Sequence, residues 1–272
     1  MLLLYHEFRG LSRGFANFFR FFLTFLYSCA ILKITIYCAE VARMPKYSGI
    51  DISAAQKGLI DWTRIKIDFA ILRAGYGRYP KQKDIYFEEA YRACDAKGIP
   101  AGAYWYSYAM TPEEAMQEAA VCLEVIKGKK FAYPIFYDVE EKKQFDLGKE
   151  KVSAIIRAFL QTVEAAGYWV GLYGNLSSLN TWTADDIKKR YTIWLAQWDV
   201  QKPTYKGAYD IWQIKAGQLP GVSGVIDLDE SYKDFPTLIK AKGLNGFTPE
   251  PEKHHIRIQL DGCTYEGDVI KV

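Results

Sequence analysis

The chain lacks the marks of several common protein classes. Its five cysteines, Cys29, Cys38, Cys94, Cys122 and Cys263, are scattered and odd in number, and none forms a CxxC pair. That spacing supports neither a zinc site nor a disulfide framework; Cys94 and Cys122 read as small buried hydrophobes in helical patterns. An excess of one charge is also missing. The net charge of +3 is carried by Arg9, Arg13, Arg20, Lys33 and Arg43 against Glu7 and Glu40, so residues 44–272 are neutral. No basic stripe remains to meet a phosphate backbone, and nucleic acid is not an expected partner. No glycine-rich phosphate loop follows any strand-like segment, which argues against an open doubly wound nucleotide fold.

A long hydrophobic run is absent as well. The uncharged stretch 21–32 is shorter than the ~20 apolar residues that a membrane span requires. With Arg9, Arg13 and Arg20 ahead of it, residues 1–43 read as a secretory signal with a poor cleavage site, as an uncleaved anchor running on to Val41, or as an upstream extension of a protein that begins at Met44. Any membrane association is expected through this segment alone.

What is abundant is aromatic surface: 20 Tyr, 15 Phe and 7 Trp. Such a set suits a groove that stacks on sugar rings and equally suits a tightly packed core.

From Tyr47 onward strand-like and helix-like segments alternate. YSGIDIS, DFAILRAGYG, IPAGAYWYSYA, YPIFYDVEE and YWVGLYGN read as five strands. A helical turn is expected in KGLIDWTRIK. DIYFEEAYRACDAKG follows the helical period and stops at Gly98. The next helix opens on Thr111 as N-cap, with Pro112 at its first position and Glu114 in the capping-box place. KEKVSAIIRAFLQTVEAAG is the helix after the fourth strand. YTIWLAQWD, YDIWQIKAG and GVIDLDESY then follow with only short connections, so antiparallel pairing is expected among them. The pattern predicts an α/β fold, a modified TIM-like (β/α) barrel with about five βα units and short late strands lacking full helices. The expected organisation is a hydrophobic segment at 1–43, the barrel at 44–244, a Pro- and charge-rich linker at 245–255 that contains His254 and His255, and a β-hairpin tail at 256–272 with a DG turn.

Carboxylates recur where strands end, which is where a β/α barrel places function. The first strand offers Asp51, the fourth Asp138 and Glu140, and the last Asp227 and Asp229. Asp138 and Glu140 stand two residues apart and share a face, with stems roughly 6–7 Å apart, while Val139 points into the wall. Two acids so close in a semi-buried cleft repel, and one tends to keep its proton. A neutral acid beside an ionised one is the equipment for glycosidic bond cleavage. Two other readings stay open at this point: a solvated strand end, which suits Glu141, and a divalent cation held by Asp51, Asp138 and Asp227.

YSGIDIS, LRAGYG, GAYWYSYA, PIFYDVE, WLAQW, IWQ and GVIDLDE, in that order from Tyr47 to Phe235, resemble the glycoside hydrolase family 25 lysozymes, N-acetylmuramidases of bacteria and phages. The resemblance implies hydrolysis of the β-1,4 bond between N-acetylmuramic acid and N-acetylglucosamine, with bacterial peptidoglycan as partner, no cofactor and no metal. It implies a monomer of the endolysin or autolysin type acting on the wall outside the cell. It makes Glu140 the general acid, Asp138 an assistant at the reacting centre, and Asp51 and Asp227 the other cleft carboxylates. Tyr104, Tyr106, Tyr137, Trp194, Trp198 and Trp212 are expected to line the sugar groove, and Arg73 to hold a carboxylate. A glycan-binding module without turnover is the alternative function.

Overall fold

The structure, a computed structural model, describes residues 46–249, 253–260 and 262–270. Residues 1–43, with the choice among signal, anchor and extension, lie outside the described residues.

Eight strands close a barrel: β1 (Tyr47–Ile52), β2 (Phe69–Tyr76), β3 (Ala101–Tyr106), β4 (Ile135–Asp138), β5 (Val170–Asn175), β6 (Thr192–Ala196), β7 (Ile211–Gly217) and β8 (Ile226–Ser231). Strands β1 to β7 each pair in parallel with the next, and β8 runs antiparallel to both β7 and β1. Helices α1 (Phe87–Lys97), α2 (Pro112–Ile126) and α4 (Lys149–Ala165) cover β2 to β5, with a short α3 (Lys142–Phe145) leading into α4. After β5 come a π-helical turn (Ser178–Trp182) and the short α5 (Asp185–Arg190), and α6 (Phe235–Ala241) follows β8. This is the modified TIM-like barrel that the alternation predicts.

Two expectations are corrected. KGLIDWTRIK forms no α-helix; the β1–β2 connection holds a 3₁₀ turn at Ala54–Gln56 and then runs as loop, tied to the β7–β8 connection by an Ile60–Val222 bridge. Strands β6 and β7 are parallel rather than antiparallel. The chain between Ala196 and Ile211 is long enough to return to the starting end without a helix, so only β8 reverses.

Local signals behave as their chemistry dictates. Gly98 ends α1 in the left-handed region at φ 64°. Thr111 caps α2 by accepting from the Glu114 N–H at 3.2 Å, but the Glu114 carboxylate reaches past it to the Met110 N–H at 2.7 Å.

Alternation along the strands divides the core into two shells. Ile50, Ile52, Leu72, Trp105, Ile135, Tyr137 and Leu172 face outward and pack under the helices. Phe69, Ile71, Phe136, Trp194 and Ile211 fill the barrel interior, joined at its floor by Tyr133 and by Phe235 and Ile239 of α6. Inward-facing Gly49 and Gly171 make room for the largest rings. A Cβ on either would lie 2.4 Å from Phe69 or Phe136, so small residues and aromatics complement each other across the lumen.

Asn245, expected in a linker, belongs to the barrel. It is fully buried at φ 55°, accepts the Trp169 N–H at 2.6 Å and donates to the Phe131 and Tyr133 carbonyls at 3.0 and 2.9 Å. Asn245→Ala strands three buried backbone groups at roughly 1 kcal/mol each. The variant is expected to lose about 3 kcal/mol in urea unfolding, with the fold class unchanged by circular dichroism.

The tail is a hairpin, β9 (Lys253–Leu260) with β10 (Cys263–Ile270), turning between Leu260 and Cys263. Its first strand starts three residues before the expected boundary and takes in His254 and His255. Ile258, Leu260 and Tyr265 are exposed.

Candidate active site

The parallel strands all end at one mouth, and their final inward-facing residues meet there. Asp51 arrives on β1, Arg73 on β2, Tyr104 and Tyr106 on β3, and Asp138 as the last residue of β4. Glu140 follows two residues later, with Val139 buried in the outer shell between them. Asp227 and Asp229 lie near the start of β8, not at its end. They reach the same mouth because β8 runs the opposite way: Asp227 pairs with Asp51, and Asp229, one rung deeper, lies between Gly49 on β1 and Gln213 on β7.

Burial sorts the carboxylates. Asp51, Asp138 and Asp229 are buried, Asp227 is half-buried, and Glu140 stands exposed at the rim with protein packed around its stem. Burial and repulsion from Asp227 push Asp51 up to about 7, against hydrogen bonds from Gln213 and Asp229 that favour its anion. Burial, then Glu140 and Asp51, lift Asp138 well above the usual carboxylate range, with Arg73 the opposing cation. Glu140 is raised by desolvation, Glu141 and Asp227, and Asp227 by desolvation. Five acids thus crowd a region that resists their full ionisation.

Neutral side chains hold this cluster in register. Gln213 donates from Nε2 to Asp51 Oδ2 at 2.7 Å, while its Oε1 accepts from Tyr173 Oη at 3.0 Å and Trp198 Nε1 at 2.9 Å. Two donors on Oε1 fix the amide orientation, so the N–H must face Asp51. Arg73 pairs with Asp84 rather than with a cleft acid, Nε to Oδ2 at 2.6 Å. Asp84 also accepts the Ala54 and Tyr86 N–H groups.

The six expected groove aromatics divide. Trp198, 48% exposed, and half-buried Tyr104 and Tyr106 face the cleft side. Tyr106 Oη donates to Glu141 Oε1 at 2.9 Å and packs on exposed Tyr108. Glu141 is therefore more than an exit-loop charge: it caps α3 and braces the rim. Three of the aromatics are corrected. Trp194, 1% exposed, is interior floor, edge-on to Tyr104 and Tyr173, with its N–H on Asp229. Trp212 points outward because its neighbour Gln213 points in, and it donates to the Gln197 carbonyl. Tyr137 lies in the outer shell, stacked on Phe159 at 3.8 Å, its hydroxyl donating to Glu118 and touching Ser107, both at 2.7 Å. Tyr137→Phe removes one buried donor to a carboxylate. The expected result is a loss of about 1.5–3 kcal/mol of stability with no change in the KM for cell-wall fragments.

Gln213, Tyr173 and Tyr108 are cleft residues outside the expected set, and Asp229, named among the strand-end acids, had no role assigned. The DxD of VIDLDES was a visible signal for Asp229, sharing a face with Asp227. Gln213, inside the apolar run IWQIKAG, has a signal only once the inward face of β7 is known. Among the described residues no group of three or more His, Cys, Asp or Glu side chains is arranged to hold a metal ion.

An α/β barrel with crowded carboxylates at one mouth is the architecture of a glycoside hydrolase. The family model for glycosyl hydrolases family 25 matches residues 50–222, and the chain belongs to that family. The match contains Asp51, Asp138 and Glu140 and ends before Asp227. No curated protein matches the chain significantly. Among solved structures, the modular autolysin LytC from Streptococcus pneumoniae, in complex with a synthetic peptidoglycan ligand, is similar at 26% identity and TM-score 0.59, over 68% of this chain and 46% of LytC. The chain therefore spans less than half of that relative. The CTP1L endolysin is 26% identical with TM-score 0.61, over 71% of this chain and 69% of its own. A bacterial lysozyme from Streptomyces coelicolor shares the fold at TM-score 0.62 and 23% identity, over 75% of this chain and 99% of its own.

Proposed function

We propose that the protein is a muramidase that hydrolyses the β-1,4 bond between N-acetylmuramic acid and N-acetylglucosamine in bacterial peptidoglycan. The observation that carries this reading is the pairing of an exposed Glu140, shifted upward by desolvation and by the neighbouring Glu141 and Asp227, with buried Asp138 and Asp51 at the mouth of a family 25 barrel. Glu140 protonates the departing glycosidic oxygen. Asp51, held by Gln213, faces the sugar carbon that becomes positively charged and stabilises it electrostatically. Asp138, whose proton is held by burial and by the neighbouring Glu140 and Asp51, assists at the reacting centre. Trp198, Tyr106 and Tyr108 offer rings against which sugar faces stack. The peptidoglycan ligand of the LytC structure and the lysozyme and endolysin relatives support this substrate class.

The enzyme acts on the wall outside the cytoplasm, after secretion or release at lysis. Among the described residues no helix is long and apolar enough to cross a membrane, so anchoring would fall to residues 1–43.

Digestion of purified peptidoglycan with mass analysis of the new reducing ends tests the bond. Muramic acid at those ends is expected. Glucosamine ends, or released peptides with intact glycan, would overturn the assignment, and no new ends at all would favour a binding barrel without turnover.

A further inference from the structure

The deepest carboxylate of the cleft has a task of its own. Asp229, 2% exposed, accepts the Trp194 Nε1–H on Oδ1 at 2.8 Å, and its Oδ2 is buried with no other donor in reach. Its carboxyl meets that of Asp51 across the β1–β8 pair, one rung apart on the same face. Asp51 already accepts from Gln213, whose amide cannot turn because Tyr173 and Trp198 occupy its oxygen.

Two carboxyl groups in buried contact, with no cation between them, cannot both be anions. One proton must lie between them. The charged and titratable groups facing Asp229 are Asp51 from β1, Asp227 from its own strand and Tyr173 from β5; β6 and β7 present only Trp194 and Gln213. Asp51 is nearer the mouth and has a second donor for its anion. Asp229 is deeper and has one neutral donor.

We infer that Asp229 is a positioning residue that keeps its proton and donates it to Asp51, which holds the Asp51 carboxylate aimed at the substrate. It acts as a carboxylic acid, not as a carboxylate, and touches no substrate itself. Burial and the Asp51 charge both hold its proton in place, lifting it well above the usual carboxylate range. The inference rests on the glycosidase reading only for the use to which Asp51 is put.

Carbon NMR of protein labelled at the aspartate carboxyls tests the proton without any substrate. A resonance with the shift of a protonated acid that is present in wild type and missing in Asp229→Asn is expected at pH 7. An ionised Asp229 resonance at pH 7 would overturn the inference, whatever the enzyme cleaves. The second arm is lysis of purified cell walls. Asp229→Asn keeps an N–H donor for Asp51 and an oxygen for Trp194, and should retain activity within about tenfold. Asp229→Ala has no donor and should lose about a hundredfold or more. A folded Asn variant as inactive as the Ala variant, or an Ala variant as active as wild type, would each refute donation. Loss of all lysis in wild type would instead remove the glycosidase reading and leave the NMR result standing.

Discussion

Glu140→Gln is expected to reduce the lysis of purified cell walls by at least about 10³-fold, within the range that loss of general acid catalysis produces. Glutamine keeps the shape of the side chain and its polar tip but has no proton acidic enough for a departing sugar oxygen. The fold has no need of the charge: Glu140 is exposed at the rim, and its neighbours Glu141 and Asp227 repel it. Removing that repulsion leaves the melting temperature at pH 7 unchanged or slightly raised. Dye release from stained cell walls, with circular dichroism on the same preparation, checks both halves. Wild-type rates from a folded Gln variant would sink the role assigned to Glu140.

Asp51→Asn couples activity and stability in opposite directions. The loss in activity should be about 10²–10³-fold, the scale for removing one electrostatic stabiliser of a developing charge. The gain in stability follows from linkage. Asp51 has an ordinary value of 3.8 and is pushed up to about 7 in the folded protein. Between those values the folded state binds the proton more tightly than the unfolded chain does, so stability falls as pH rises through that window. Above pH 7 the ionised group opposes folding by on the order of 4 kcal/mol, taken together with its coupled neighbours. Asparagine keeps an oxygen for Gln213 and removes the charge. Thermal melts should therefore show wild type losing stability from pH 5 to pH 8, with a shallower slope and a higher melting temperature at pH 8 in Asp51→Asn. A variant less stable than wild type at pH 8 would show that the Gln213 contact outweighs the repulsion.

These two residues were legible before any coordinates. Period-2 alternation in YSGIDIS and PIFYDVE ends in acids, and an inward face is fixed by the pleat alone, so Asp51, Asp138 and Glu140 follow from the sequence. The helices α1, α2 and α4 were equally legible, because their apolar period and their stops and caps are local. The first crossover was not. KGLIDWTRIK has a helix-like composition, but the Ile60–Val222 bridge and the short path from β1 to β2 prevail over it. The direction of β7 was also hidden, since a loop long enough to return a strand leaves no periodic mark.

The sequence by itself determined the barrel, the acids at its mouth and the family resemblance, because each depends on spacing along the chain. Tertiary structure alone decided which aromatics face the cleft and which face the core. Trp194, Trp198 and Trp212 look alike in sequence, but the barrel wall puts one inside, one at the rim and one outside. It also decided that Asp229 meets Asp51, a contact between residues 178 positions apart in the chain that forms only when an antiparallel last strand closes the barrel.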